Sequence, residues 1–241
     1  MSTDTGDPIL EVESLRKEYG KLVAVDDVSF SVDRGQILGL IGPNGAGKST
    51  VFDLITGVQQ PTDGRVYFDD EEVTSNSLET NAGKGLVRTF QQTRVLGQMT
   101  VRENLLIASQ IPDQPQERAD ELLEVIELTE KADLLAEGLS YGQQKLVSIT
   151  QALMLEPELI LLDEPLAGVN PTMENKILEV IHDMHDRGAT FVFVEHDMDV
   201  IMAECKDIIV MNSGELLTRG PPSEIQQDQR VIEAYFGSET L

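Results

Sequence analysis

The stretch Gln36–Thr50, QILGLIGPNGAGKST, decides the fold. It opens on an apolar run of strand length and ends in a helical pattern, KSTVFDLITG, that starts at Lys48 and stops at Gly57. Between them GPNGAGKST, Gly42 to Thr50, matches G-x-x-x-x-G-K-[ST] in the strand–loop–helix setting that the pattern requires. That spacing builds a cradle for phosphate. Gly42, Gly45 and Gly47 let the backbone wrap closely around phosphate oxygens, with Pro43, Asn44 and Ala46 between them, and the N–H groups of Gly45 to Ser49 point inward. Lys48 neutralises β- and γ-phosphate charge, the Ser49 hydroxyl is a hard ligand suited to Mg2+, and Thr50 reaches the α-phosphate.

Two further strand ends supply groups for phosphate chemistry. LILLDEP, Leu159 to Pro165, is an apolar strand closing on two carboxylates at the edge where α/β sheets bind ligands. Asp163 suits the Mg2+ shell, and Glu164, next along, is free to accept a proton from an attacking water. TFVFVEH ends in His196, whose imidazole can bond a γ-phosphate oxygen and help orient that water; its neighbour Glu195 reads as solvated. Gln91, in RTFQQTRVL, closes the strand pattern GLVRTF, and a neutral amide there can touch Mg2+ or the water; Gln92 is the rival in register. His182 and His185 lie three apart on a helix and read as solvent-facing.

LSYGQQK, Leu139 to Lys145, holds no evident nucleophile, base or metal ligand, yet Ser140, Gly142 and Gln143 open a long helical pattern and present backbone N–H groups to an anion. A second such site is surplus in a monomer. In a head-to-tail pair it caps the γ-phosphate held by the partner's phosphate loop, so that nucleotide glues two subunits and hydrolysis releases them.

Around these motifs strand and helix patterns alternate, which implies a mainly parallel sheet with helices on both faces. ILEVESLRKEYG, KLVAVDDV and SFSVDRG read as short strands separated by turns, and DDEE at Asp69–Glu72 as a solvated turn. VRENLLIASQ and QERADELLEVIEL are amphipathic helices with no strand pattern between them, so a helical lobe interrupts the core.

The 241 residues carry 18 basic and 43 acidic side chains, a net charge of −25, which argues against a broad nucleic-acid footprint. That surface fits either solubility or life in concentrated salt, where screening shortens to about 3 Å near 1 M. One cysteine, Cys205, cannot make an internal disulfide. The start MSTDTGDPIL lacks a signal-peptide pattern, and no run of 18 apolar residues occurs, so a cytoplasmic location is expected.

Taken in order, Tyr19, GPNGAGKST, Gln91, LSYGQQ, LILLDEP, LAGVNP and His196 resemble the ATP-binding subunit of an ABC transporter across nearly the whole chain. VRTFQQTRVLGQMTVRENLL, EPLAGVNP and the ending GPPSEIQQDQRVIEAYFG are similar to the ATPase subunits of branched-chain amino acid importers; a lipopolysaccharide-exporting ATPase subunit is similar through much of the same region. The resemblance implies an α/β P-loop NTPase with a mainly parallel core sheet, an N-terminal antiparallel β subdomain and an inserted helical subdomain. Its expected layout is a core at 9–92 and 156–213, the helical subdomain at 93–155 and a C-terminal strand and helix extension at 214–241. It further implies ATP and Mg2+ as cofactors, Tyr19 stacked on adenine, Gln91 coupling the site to a transmembrane partner, and Glu164 as catalytic base. Implied partners are a second ATPase subunit, identical or paralogous, transmembrane permease subunits and, indirectly, an extracytoplasmic solute-binding protein, with the chain peripheral on the inner face of the cell membrane. Asn170 in LAGVNP, where the family more often has aspartate, is expected to serve dimer contact.

Other classes fit less well. A mechanoenzyme acting on DNA or ribosomes needs a long coiled-coil insertion or two cassettes, and a GTPase or small-molecule kinase using the same phosphate loop is opposed by the lack of N-K-x-D, which NKIL at Asn175 does not supply, and by LSYGQQ.

Overall fold

The computed structural model describes residues 8–91, 93–109 and 114–236. The rival glutamine Gln92, residues 110–113 of the expected helical subdomain and the last five of the C-terminal extension lie outside that range. Along the chain run β1 (Pro8–Tyr19), β2 (Leu22–Asp33), β3 (Ile37–Ile41), α1 (Lys48–Thr56), β4 (Asp63–Phe68), β5 (Glu71–Glu72), α2 (Leu78–Gly83) and β6 (Leu86–Arg88). There follow α3 (Val101–Ala108), α4 (Pro115–Val125), α5 (Tyr141–Leu153), β7 (Leu159–Asp163), α6 (Pro171–Asp186) and β8 (Thr190–Val194). The chain closes with α7 (Met198–Glu204), β9 (Asp207–Asn212), β10 (Glu215–Gly220), α8 (Pro222–Ile225) and α9 (Gln229–Phe236).

Two compact units result, one from residues up to Asn81 together with those from Thr190 onward, the other from Ala82 to Ala189. In the first, β3 pairs in parallel with β8 on one side and β9 on the other, and β10 returns antiparallel beside β9. Ile37–Ile41 and Thr190–Val194 are buried along almost their whole length, as parallel strands covered on both faces must be. The same unit carries an antiparallel sheet in the order β2–β1–β4–β5.

The expectation of short separate strands near the N-terminus is corrected here. KLVAVDDV and SFSVDRG form one 12-residue strand, β2, paired along β1. Bulges absorb the irregularity that reads as a turn, with Ser14 (φ 45°) on β1 and Asp27 (φ 52°) on β2 in the left-handed region. Within DDEE, Asp69 and Asp70 are indeed a left-handed turn, whereas Glu71 and Glu72 form the short edge strand β5.

In the second unit β6 and β7 pair in parallel, with Leu86 opposite Leu159, Val87 opposite Ile160 and Arg88 opposite Leu161. The strand pattern GLVRTF is regular only to Arg88. Buried Asn104 of α3 clips the loop before that helix, accepting from the Leu96 N–H at 2.7 Å and donating back to the Leu96 carbonyl at 3.0 Å. Ion pairs of Arg187 with Glu121 and of Lys176 with Glu127 join α6 to α4 and to the turn after it. Hydrogen bonds from Arg187 and then Arg118 hold the Glu121 carboxyl below the usual range. Among the described residues no helix is long and apolar enough to cross a membrane.

Candidate active site

The phosphate loop lies in the first unit, between β3 and α1. Two of its glycines are sterically required. Gly42 (φ 150°) and Gly47 (φ 101°) both sit at positive φ, and a Cβ would come within 2.2 Å of the Met211 carbonyl at the first and 2.7 Å of the Ala24 carbonyl at the second. Backbone bonds stitch the loop to its neighbours: the Ala46 N–H donates to Pro43, the Gly214 N–H to Ala46 at 3.1 Å, and the Asp26 N–H to Gly214 at 2.8 Å. The backbone of Gly42 also hydrogen-bonds the phenol of Tyr235 on α9, whose pKa is raised by burial. So the C-terminal hairpin and helix brace the loop, a role for which the sequence gives no signal beyond an aromatic residue in an amphipathic ending.

Gly47 caps α1 in a left-handed conformation, with no side-chain cap and no acidic residue in the first turn. The start of α1 therefore keeps the positive end of its dipole for an anion. The Lys48 ammonium, 7% exposed, donates to the carbonyls of Gly42 at 2.7 Å and Pro43 at 3.2 Å, folded over its own loop. Asn44, Gly45 and Ser49 face solvent, Pro43 and Thr50 are half-buried, and Ala46 is packed inside.

Tyr19 ends β1 and is 44% exposed, its hydroxyl donating to the Gln59 side chain and the Lys17 ammonium lying 5.3 Å from its ring centre. His196 follows β8 and is exposed, with its backbone N–H donating to the Glu195 carboxylate at 3.3 Å. Glu195 corrects the reading of a solvated neighbour: it is 5% exposed, its carboxylate turned back onto the backbone at the strand end. His182 is exposed as expected, and His185 is half-buried.

The second unit assembles the other motifs tightly. Asp163 ends β7 with its carboxylate 2.9 Å from the Arg88 guanidinium, both side chains buried, and its N–H donates to the Thr89 hydroxyl at 3.3 Å. Glu164 follows at φ 49°, a left-handed conformation that costs a non-glycine residue about 1–3 kcal/mol and is typical of functional sites. Its carboxylate accepts from the Gln91 side-chain amide at 2.6 Å. The buried Lys145 ammonium of α5 bonds the backbone carbonyls of both residues, Gln91 at 3.2 Å and Glu164 at 2.7 Å. Phe90, just before Gln91, has the Arg88 and Arg94 guanidinium carbons 4.9 and 3.3 Å from its ring centre.

At the start of α5, Ser140 and Gln143 form a reciprocal capping box, each side chain accepting from the other's backbone N–H. Gly142 is small for packing, since a Cβ would meet the Met173 side chain of α6 at 2.7 Å. Asn170 caps α6, accepting from the Met173 N–H at 3.1 Å.

Arg88, Thr89 and Lys145 are the residues that the sequence reading passed over. Their signal was available: a cation inside the apolar pattern GLVRTF, and another in register with Ile149 and Ala152 on the apolar face of α5.

The residues present fit a magnesium nucleotide. The loop offers left-handed glycines at a helix start with a lysine at its first position, and the Ser49 hydroxyl beside it is a hard oxygen donor suited to Mg2+. Comparison with known proteins agrees on the nucleotide. A family model described as ABC transporter matches residues 25–167.

The chain belongs to the ABC transporter family.

It is an ATPase subunit of the α/β P-loop class. A second family model, described as branched-chain amino acid ATP-binding cassette transporter, matches residues 215–240 of this ABC ATPase. The high-affinity branched-chain amino acid transport ATP-binding protein BraF of Pseudomonas aeruginosa is 38% identical over 95% of the chain and 98% of its own length. The lipopolysaccharide export system ATP-binding protein LptB of Haemophilus influenzae is 33% identical over 96% of the chain and 98% of its own. Among solved structures, the ADP conformation of an ATP-binding cassette is 35% identical with a TM-score of 0.88, covering 96% of this chain and 99% of that one. A dimeric cassette in a post-hydrolysis state with ADP and Pi is 27% identical with a TM-score of 0.77, covering 88% and 98%.

Proposed function

We propose that this ABC ATPase drives the import of branched-chain amino acids, working as one of two head-to-tail subunits on the inner face of the cell membrane, beneath permease subunits that receive solute from an extracytoplasmic binding protein. The observation that carries the solute assignment is the family match at residues 215–240, because it is to branched-chain amino acid cassettes in particular.

In this reading Tyr19 stacks on adenine, and the loop from Gly42 to Thr50 holds the phosphates with Lys48 as counter-ion. Ser49, Asp163 and Gln91 hold Mg2+, whose chemistry is to neutralise charge on the phosphates. Glu164 takes the proton from the attacking water and His196 orients that water. Ser140, Gly142 and Gln143 cap the γ-phosphate bound by the other subunit, with Asn170 at the dimer contact. The 2.6 Å bond from the Gln91 amide to one oxygen of the Glu164 carboxylate leaves the group further acceptor sites for the proton of the water. In this reading Gln91 couples the site to the permease, and its bond to Glu164 supports that role. The layout proposed for the chain keeps 93–155 as the helical subdomain and 214–241 as a C-terminal extension.

Deleting the gene and following radiolabelled leucine, isoleucine and valine tests the solute. Uptake of all three is expected to fall while lipopolysaccharide export continues. Unchanged uptake with a defect in lipid export would move the assignment to the exporter instead.

A further inference from the structure

Lys145 lies on the side of α5 that packs inward, in register with Ile149 and Ala152, and is only 3% exposed. A methionine of similar shape would fill that position without the cost of desolvating an ammonium. What the ammonium does there is donate to two backbone carbonyls, Glu164 at 2.7 Å and Gln91 at 3.2 Å. The Glu164 carbonyl accepts a second bond, from the Ala167 N–H at 3.2 Å, so the peptide plane leaving Glu164 is fixed from two directions. A left-handed glutamate persists only where its surroundings over-determine it, and these bonds contribute to that constraint.

We propose that Lys145 is a positioning residue for hydrolysis. By tying the backbone of the glutamate read above as the base to the backbone of Gln91, it fixes where both side chains project and links them to the helix that starts at Ser140. The inference rests on the reading of Glu164 as base. It does not need Lys145 to touch nucleotide or water. The two carbonyls set the spacing at which the Gln91 amide and the Glu164 carboxylate meet, and the strut remains when that side-chain bond opens. A change at the start of α5 is thereby passed to the base through four intervening residues of rigid helix.

The test measures steady-state ATP hydrolysis and nucleotide binding for Lys145→Met, Lys145→Arg and Glu164→Gln, with rates normalised to nucleotide-binding-competent protein. A misplaced base is expected to lower kcat of Lys145→Met by about 100-fold while KM for ATP stays within about twofold. Lys145→Arg, which keeps charge and donors, is expected to recover most of the rate. If Lys145→Met does not fold, Lys145→Gln takes its place with the same expectation. Wild-type kcat in the neutral variants beside an inactive Glu164→Gln overturns the role of Lys145 and leaves the base assignment standing. Losses that vanish on normalisation, or that Lys145→Arg shares in full, overturn it as well. Sustained turnover by Glu164→Gln overturns instead the reading on which it rests.

Discussion

Helices α1 and α5 both begin at anion-binding patterns in the sequence, yet their starts are built in opposite ways. At α1 a left-handed glycine caps the helix, no side chain takes up its first-turn donors, and Lys48 lies folded on the loop's own carbonyls. At α5 an extended serine caps the helix in a reciprocal box with Gln143, and Lys145, a turn further on, reaches past its own helix to Gln91 and Glu164. The first start is open and self-contained, suited to keeping a bound nucleotide. The second is held in shape by its own capping box, while the N–H groups of Tyr141 and Gly142 in its first turn have no intrahelical acceptor and stay open to a ligand beside Ser140 and Gln143. In the proposed function that difference separates holding a phosphate from responding to one.

The sharpest break between the two is chemical. Lys48→Ala is expected to reduce hydrolysis by at least about 100-fold and to weaken ATP binding, because no other cation in the loop replaces it. Calorimetric titration with ATP checks the binding arm. The second unit should instead be sensitive in stability. Arg88→Met leaves the Asp163 carboxylate buried without its guanidinium, and breaking such a pair costs about 3–5 kcal/mol, read as a lowered urea midpoint with an unchanged slope. Ser140→Ala removes the cap of α5 at a cost of about 1 kcal/mol, a loss with no counterpart at α1, where no side chain caps the helix. The smallest effect is global. With a net charge of −25, screening should raise the melting temperature as salt goes from dilute buffer toward molar concentration, and a melting temperature that does not fall on dilution would exclude adaptation to concentrated salt.

Much of this was legible in the sequence, for identifiable reasons. The phosphate loop could be read because its glycines are fixed by local sterics that show in the sequence as spacing: Gly42 and Gly47 sit at positive φ against backbone carbonyls. Asp163 and Glu164 could be read because an apolar strand must end somewhere, and the two acids mark where. β2 was misread as two strands because Asp27 looks like a turn residue and a bulge has the same local signature. Glu195 was misread because adjacency to an exposed His196 says nothing about which way the carboxylate turns. The links from Arg88 to Asp163, from Lys145 to Glu164 and from Tyr235 to Gly42 join residues far apart in sequence, and only a cation on an apolar face hinted at the first two.

The contrast between the two helix starts has one direct test. Lys48→Ala disables a phosphate loop and Ser140→Arg disables an α5 start, so each variant alone is expected to be inactive. In a head-to-tail pair every site takes its loop from one subunit and its α5 start from the other. Mixing the two inactive variants then creates mixed dimers in which one site is wholly intact, and hydrolysis is predicted to reappear on mixing. A mixture as inactive as either variant alone would contradict the account, because it would mean that both helix starts serve the same subunit's nucleotide.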